Sequence, residues 1–224
     1  MMQLGPEGDE VVTTRTDAKR IAFLSDTHTR APDGSGLSDT FYEALAGVEL
    51  IVHLGHVGNP ALLDRLSKVA PVLACRTSLD DLTFGPRLEE EVRSGRAAGY
   101  VRVIEAPGAV LGAVDDVCKR GVELKLVDET RLAFPDTPTR DVVSSKFGRP
   151  VDVVAWANTH SPSVLSREGV LFVNPGSPNY PGGWRKGGPG TFAVLDLSRG
   201  NVEAEIVDLA HPPKQAAPTP PNDK

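Results

Sequence analysis

The feature that most constrains the fold is a recurring pattern in which a short apolar run ends in a cluster of polar residues. Residues 21–24 (IAFL) lead into Ser25-Asp26-Thr27-His28, and residues 48–54 lead into Gly55-His56. An apolar run of this length is typical of a strand buried on both faces. Three further polar blocks end apolar runs: Arg76-Thr77-Ser78-Leu79-Asp80, Ala157-Asn158-Thr159-His160 and Asn174-Pro175-Gly176-Ser177. The pattern predicts a sheet whose strand ends carry the functional groups.

Helix signals separate these strands. Ser38 is placed to cap a helix that carries Phe41 and Leu45 on one face, and Asn59-Pro60 is a helix start. Further strands are predicted over residues 71–75, 100–104 and 151–156, a strand pair over 122–127 and 131–134, hairpins over 164–173 and 192–209, and helices over 109–119 and 140–147. Alternation of this kind predicts two facing sheets with helices packed outside them.

Length and charge limit the classes of protein. A chain of 224 residues suits one sizeable α/β domain, which we expect over residues 19–211, after a flexible lead (1–18) and before a disordered Pro-rich tail (212–224). The net charge is −6 and no basic run exceeds two residues, which argues against nucleic acid or a membrane surface as a partner.

The sequence also favours a cytoplasmic location. No apolar run approaches the ~20 residues that span a bilayer, and the acidic N-terminus has no hydrophobic segment of a secretory signal. Cys75 and Cys118 lie in apolar context and are expected to be free, reduced thiols.

Asp26 and His28 place a carboxylate and an imidazole two residues apart beyond a strand. Both side chains can converge on one cation, and this ligand pair suits Zn, Mn, Fe or Ni. For an isolated pair, a loop aspartate that caps backbone amides beside a surface histidine is the simpler interpretation. Because the other polar blocks also follow apolar runs, a metal or phosphate site is favoured over this simpler interpretation.

The order and spacing of the five blocks resemble the calcineurin-like metallophosphoesterases, in particular their small bacterial and archaeal phosphodiesterase branch. The resemblance covers about residues 20–210. It implies a four-layer α/β/β/α sandwich of two facing mixed sheets, with a two-metal site that hydrolyses phosphoesters at the strand ends.

Several positions depart from the family's motifs. His56 replaces the aspartate that bridges two metals in the H-x-G-D motif, and an imidazole nitrogen binds one metal only. Ser78, or Thr77, stands where the family has a liganding asparagine, and Asn158 replaces the first histidine of G-H-T-H. The family's middle histidine has no counterpart between His56 and His160. We place its equivalent at residues 132–136, where Asp136 is a candidate substitute or simply part of a turn.

The surviving ligands all belong to one metal of the family's pair. The resemblance therefore implies at most one divalent transition metal (Zn, Mn, Fe or Ni), held by Asp26, His28, His56 and His160. The residues expected around it are Arg76, Ser78, Asp80, Asn158 and Asn174. His53 is expected to be structural, because it points to the other side of its strand. No catalytic residue is assigned.

Three functions remain open at this point. The chain is a divergent one-metal phosphodiesterase or phosphatase, a non-catalytic pseudo-enzyme that serves as an interaction or ligand-binding module, or a protein with a purely structural metal. The expected partner is a phosphoester small molecule, and a dimer remains open. Two segments are of interest: residues 178–190, a flap candidate with Tyr180, Trp184, Arg185 and Lys186, and residues 86–121, expected to cover the site mouth or a dimer surface.

Overall fold

The computed structural model describes residues 2–4, 10–97, 99–118, 124–184 and 189–212. Its strands are β1 (Met2–Leu4), β2 (Glu10–Arg15), β3 (Arg20–Leu24), β4 (Leu50–His53), β5 (Val72–Ala74), β6 (Val101–Ala106), β7 (Ala109–Val114), β8 (Lys125–Leu126), β9 (Leu132–Ala133), β10 (Val153–Ala155), β11 (Ser163–Arg167), β12 (Val170–Asn174), β13 (Thr191–Asp196) and β14 (Glu203–Asp208). Its helices are α1 (Asp39–Ala44), α2 (Ala61–Leu66), α3 (Ser78–Phe84), α4 (Leu88–Arg93), α5 (Thr139–Phe147) and α6 (Pro181–Trp184), and a 3-10 turn (Gly85–Arg87) joins α3 to α4.

The first two polar blocks follow neighbouring strands of one sheet. Its strand order is β14-β13-β3-β4-β5, with β3, β4 and β5 parallel and β13 antiparallel to β3. Residues 21–24 of β3 are completely buried. This confirms the strand expected from the continuous apolar run, because a parallel strand covered on both faces has no solvated side.

The second sheet carries the fourth and fifth polar blocks, which lie at the carboxyl ends of β10 and β12. Its strand order is β1-β2-β6-β7-β10-β12-β11, and β7, β10 and β12 are parallel to one another. The carboxyl ends of parallel strands meet at one edge, so the residues that follow β7, β10 and β12 lie together.

The two sheets face each other across a shared apolar core. Residues of both sheets form it, including Phe23, Val52, Leu111, Val153 and Val173. Helices α1 and α2 cover the outer face of the five-stranded sheet, and α5 covers the outer face of the seven-stranded one. This arrangement is the α/β/β/α sandwich expected from the sequence.

The helix expected over residues 109–119 is wrong. Pro107-Gly108 forms a turn, and residues 109–114 pair antiparallel with β6 as strand β7. The Pro-Gly signal belongs to a hairpin, and Leu111, Ala113 and Val114 are buried as residues of a strand. Gly112 allows α5 to approach, since a Cβ there would lie 2.6 Å from the ring of Phe147.

Two other segments also differ from expectation. Residues 10–15 of the predicted flexible lead form β2, which pairs in parallel with β6. The segment 86–121 was expected to cover the site mouth or a dimer surface. It supplies strands β6 and β7 to the seven-stranded sheet. The loop after α4 hydrogen-bonds to the β5 edge, where Ala74 N–H donates to the Arg96 carbonyl. Residues 213–224 of the predicted tail lie outside the described residues.

Residues predicted to begin or end the other helices lie at the helix ends. The Ser38 hydroxyl accepts the backbone N–H of Phe41 at the start of α1, and Gly148 ends α5 in a left-handed conformation. Within the part of the chain that the structure describes, no helix has the length and apolar character required to cross a bilayer.

Candidate metal centre

The loops that follow β3 and β4 continue side by side beyond the sheet. The backbone N–H of Asp26 donates to the Gly55 carbonyl at 3.1 Å, and the N–H of His28 donates to the His56 carbonyl at 3.0 Å. Because parallel pairing persists past the strand ends, the first two polar blocks lie against each other.

Three histidines surround the buried carboxylate of Asp26. Its Oδ1 lies 2.7 Å from His56 Nδ1, 3.6 Å from His160 Nε2 and 3.9 Å from His28 Nε2. Asp26, His28 and His56 offer ligand atoms that all lie within 4.8 Å of one another. The structure therefore brings together all four residues that the sequence assigned to a metal.

The backbone of this cluster is strained. Asp26, His28, His56, Asn158 and His160 all have positive φ angles between 43° and 77°. Residues other than glycine rarely adopt this region, although Asp, Asn and His do so most readily. Each such residue costs of the order of 1–3 kcal/mol and persists where the surroundings hold it, so the strain concentrates at the candidate site.

The charge state of the cluster follows from its contacts. Burial alone would raise the pKa of Asp26, but the His56 hydrogen bond and the charge of His160 outweigh it and hold that pKa below its usual value. Burial lowers the pKa of His28 to about 4. Asp26 is therefore a carboxylate and His28 a neutral imidazole at neutral pH, which are the forms that bind metal.

His160 is held by the segment after the Asn-Pro-Gly-Ser turn. Its Nδ1 lies 2.9 Å from the backbone carbonyl of Tyr180. A carbonyl only accepts, so Nδ1 carries a proton and donates it, and in the neutral ring Nε2 would present its lone pair towards Asp26 Oδ1. Two electron-pair donors that face each other at 3.6 Å are suited to a cation between them. A backbone carbonyl that fixes the outer nitrogen is usual for a metal-binding histidine.

Asp80 holds the loop that carries His56. It accepts the backbone N–H groups of His56 and Val57 at 2.9 and 2.8 Å, together with the Thr77 hydroxyl at 2.8 Å. Asp80 is thus a positioning residue in the first turn of α3. Thr77 caps this helix, whereas Ser78 is exposed at its first position.

The sequence analysis missed two carboxylates. Asp115 follows β7, and its Oδ1 lies 3.8 Å from His56 Nδ1. Asp116 accepts a hydrogen bond from the Asn158 side chain at 3.2 Å. Asp136, the candidate substitute for the family's middle histidine, is instead an exposed residue between β9 and α5. The pattern of an apolar run with a polar end was present at residues 109–116.

Asn158 and Asn174 support the loops around Asp26. The backbone N–H of Asn158 donates to Asp26 Oδ2 at 3.1 Å, which leaves Oδ1 towards the histidines. Buried Asn174 donates to the Thr159 hydroxyl and accepts the Gly176 N–H, so it closes the turn below the site.

Arg76 is engaged at the border of the site. Its guanidinium pairs with Asp81 at 3.0 Å and lies over the ring of Tyr100, which itself hydrogen-bonds to Asp81. The flap candidate contributes Tyr180, whose ring packs edge-on against His28. Arg185 and Lys186 lie outside the described residues, as does the side chain of Trp184.

His53 has a structural role, as expected. Its Nδ1 accepts the Gly55 N–H, and its Nε2 donates to Thr27 Oγ1, whose own proton goes to the Val57 carbonyl. Burial lowers the pKa of His53 to about 3, so the ring is neutral.

Replacing His53 by leucine is expected to lower the free energy of unfolding by ~2–4 kcal/mol, because it leaves the buried Thr27 hydroxyl and Gly55 N–H without this partner. Urea unfolding measures the loss. His211→Leu, at a highly exposed histidine, should change stability by less than ~0.5 kcal/mol. A loss of bound metal in folded His53→Leu protein would contradict the structural role.

Comparison with known families agrees with this geometry. Residues 20–200 match the model of the calcineurin-like phosphoesterase superfamily domain. The chain belongs to this superfamily. A probable metallophosphoesterase of Methanocaldococcus jannaschii is 30% identical over 165 residues, which cover 72% of this chain and 69% of the relative. The family resemblance stated from the five polar blocks is thereby confirmed.

Solved structures of this calcineurin-like fold are also similar. Vacuolar protein sorting 29 from Cryptosporidium parvum matches with a TM-score of 0.56 at 17% identity, over 86% of this chain and 98% of that one. Vps29 of Entamoeba histolytica complexed with Zn²⁺ matches with a TM-score of 0.51 at 16% identity, over 85% of this chain and 99% of that one. At such identities the likeness concerns the fold alone.

Proposed function

We propose that the chain is a divergent metallophosphoesterase that hydrolyses a small phosphoester with one divalent transition metal. The observation that supports it most directly is the convergence of His56 Nδ1, His160 Nε2 and His28 Nε2 on buried Asp26 Oδ1, at 2.7, 3.6 and 3.9 Å. Asp26, His28 and His160 would hold the metal. When bound, such an ion polarises a phosphoryl oxygen as a Lewis acid and lowers the pKa of water.

His56 has a separate role in this proposal. Ligand atoms around a tetrahedral metal lie ~3.3 Å apart, from metal–ligand distances of ~2.0–2.1 Å. The 2.7 Å between His56 Nδ1 and Asp26 Oδ1 is instead a hydrogen-bond distance. His56 therefore acts first as the hydrogen-bond partner of Asp26. A tetrahedral metal held by Asp26, His28 and His160 alone would keep one open position, which distinguishes a catalytic site from a closed structural one.

His56 also limits the number of metals. Its Nδ1 lies 2.7 Å from Asp26 Oδ1 and 3.8 Å from Asp115 Oδ1. Burial opposes its protonation, but the Asp26 hydrogen bond and the charge of Asp115 raise the pKa of His56 above its usual value. The imidazole nitrogen thus faces both carboxylates, and a second cation held by these two groups would lie against it.

The other residues orient these groups. The Asn158 backbone holds Asp26 Oδ2, the Tyr180 carbonyl holds His160, and Asp80 holds the His56 loop. The proposed partner is a small molecule rather than nucleic acid or a membrane, in keeping with the net charge of −6. A cytoplasmic location stays a prediction from the sequence.

The activity is tested with bis(p-nitrophenyl) phosphate after loading the protein with Mn²⁺, Zn²⁺ or Ni²⁺. We expect slow hydrolysis that requires the metal, that falls at least about a hundredfold in His28→Ala, and that persists in His211→Ala. Metal-loaded protein that hydrolyses neither this diester nor a panel of small phosphoesters would contradict the proposal and favour the non-catalytic binding module.

A further inference from the structure

A cleft opens beside His28. Its volume is about 470 Å³, within the ~300–1,000 Å³ of pockets that bury small organic ligands. Its lining residues come from the loop after β3, the loop after β4 and one face of α3: His28, Thr29, Arg30, Gly58, Asn59, Leu79 and Thr83. One wall of the cleft is thus a candidate metal ligand.

The walls of this cleft are fixed in place. The loops pair where the Asn59 N–H donates to the Thr29 carbonyl at 2.7 Å. Gly58 is required for this approach, since a Cβ there would lie 2.4 Å from the Thr29 carbonyl oxygen. The cleft is a preformed feature of the fold rather than a gap between loose loops.

Thr29 supplies an observation that points to a ligand. The residue is only 3% exposed and lines the cleft, yet its Oγ1 has no hydrogen-bond partner among the described residues. A buried hydroxyl without a partner costs ~1–3 kcal/mol. A polar group bound in the cleft would satisfy it.

The described lining residues of the cleft include a positively charged side chain and no negatively charged one. Arg30 follows His28 by two residues and is exposed, and none of the ion pairs within the described ranges uses it. No acidic residue lies among the seven lining residues. In a chain with a net charge of −6, such a cationic wall selects an anion.

We propose that this cleft binds the organic part of the phosphoester substrate, and that this part is short, aliphatic and hydroxylated and ends in a second anionic group held by Arg30. The inference rests on the proposed function, which places the ester phosphate at the Asp26 cluster. Thr29, Asn59 and Thr83 offer hydroxyl and amide groups to the ligand's hydroxyls, and Leu79 offers the one large aliphatic wall. Among the described residues, the lining includes no Phe, Tyr or Trp for a base to stack on, which disfavours a nucleobase.

Two probes test the second anion directly. 3-Phosphoglycerate and glycerol 3-phosphate share a three-carbon chain, a hydroxyl and a phosphate, and differ by one terminal carboxylate. Isothermal titration calorimetry on the full-length, Mn²⁺-loaded protein should show about tenfold tighter binding of 3-phosphoglycerate, as expected for one charge-assisted contact. Arg30→Gln should bring the ratio of the two dissociation constants close to one, and Arg30→Lys should restore part of it.

Helix α3 provides a matched pair of variants. Leu79 lines the cleft and is 43% exposed, whereas Leu82 is 82% exposed and does not line it. Leu79→Glu places a negative charge against the ligand's anion and should abolish the preference, while Leu82→Glu should leave it unchanged. Equal binding of the two probes by the unmodified protein, or a preference that survives Arg30→Gln, would overturn the inference.

The outcomes also separate this inference from the proposed function. Metal-dependent hydrolysis of bis(p-nitrophenyl) phosphate without discrimination between the two probes would overturn the cleft assignment alone. Protein that neither hydrolyses phosphoesters nor binds either probe would overturn both.

Discussion

Asp26→Asn should lower the affinity of the chain for a divalent metal by at least about a hundredfold and abolish metal-dependent phosphoester hydrolysis. The buried carboxylate of Asp26 is approached within 4 Å by His28, His56 and His160. The amide has nearly the same shape but carries no charge, and an amide oxygen is a much weaker ligand for a transition metal. Metal titration by calorimetry and an assay of the loaded protein measure the two effects.

The fold is expected to survive this substitution. Removing a buried charge offsets part of the lost hydrogen bonding, so the circular dichroism spectrum should be unchanged. Asp116→Asn is the matched control, because Asp116 contacts Asn158 rather than the histidines, and it should keep its metal. Undiminished metal affinity in Asp26→Asn would show that the cation lies elsewhere.

The second large effect is a change in the number of bound metals. The triple variant His56→Asp, Ser78→Asn, Asn158→His restores three ligand types of the family's second metal, and it should raise bound metal from about one to about two ions per chain. The structure strengthens this expectation, since Asp115 already lies beside His56 and adds a further carboxylate. Elemental analysis after Mn²⁺ loading measures the count.

A matched variant separates the new carboxylate from the loss of the imidazole. With asparagine instead of aspartate at position 56, the triple variant lacks the bridging charge and should bind one metal. The restored variant brings a third carboxylate close to Asp26 and Asp115, so its melting temperature should rise strongly on adding Mn²⁺. A count that stays at one in the restored variant would contradict the assignment of these positions.

The parts of the fold that depend on burial could be predicted from the sequence. Residues 21–24 are apolar throughout because β3 is covered on both faces. The polar blocks at strand ends were predictable as a cluster, because parallel strands bring their carboxyl ends to one edge. Asp26, His28 and His56 meet for this reason, and His160 joins them from the end of β10 in the facing sheet.

The segment around residues 109–119 shows why other parts were missed. Its apolar residues fit a helix or a strand equally well. The Pro107-Gly108 turn decides between them, because it pairs residues 109–114 with β6 in a hairpin. Reading the segment as a helix hid Asp115 and Asp116 at the end of β7. An error in one element thus removed two carboxylates from the predicted site.

The tautomer of His160 lay beyond prediction for a different reason. It depends on the backbone carbonyl of Tyr180, 20 residues further along the chain. Likewise, the hydrogen bond between His56 and Asp26 depends on left-handed backbone conformations in both loops. Residue types cannot specify such contacts, because tertiary packing sets them.

Metal content per chain is the most direct test of a one-metal site at Asp26, His28 and His160. Tag-free protein, purified without chelator and then loaded with Mn²⁺, Zn²⁺ or Ni²⁺, is measured by elemental analysis. The proposal predicts about one tightly bound ion per chain, lost in folded His160→Ala. Two ions in the unmodified protein, or none under any loading condition, would contradict it.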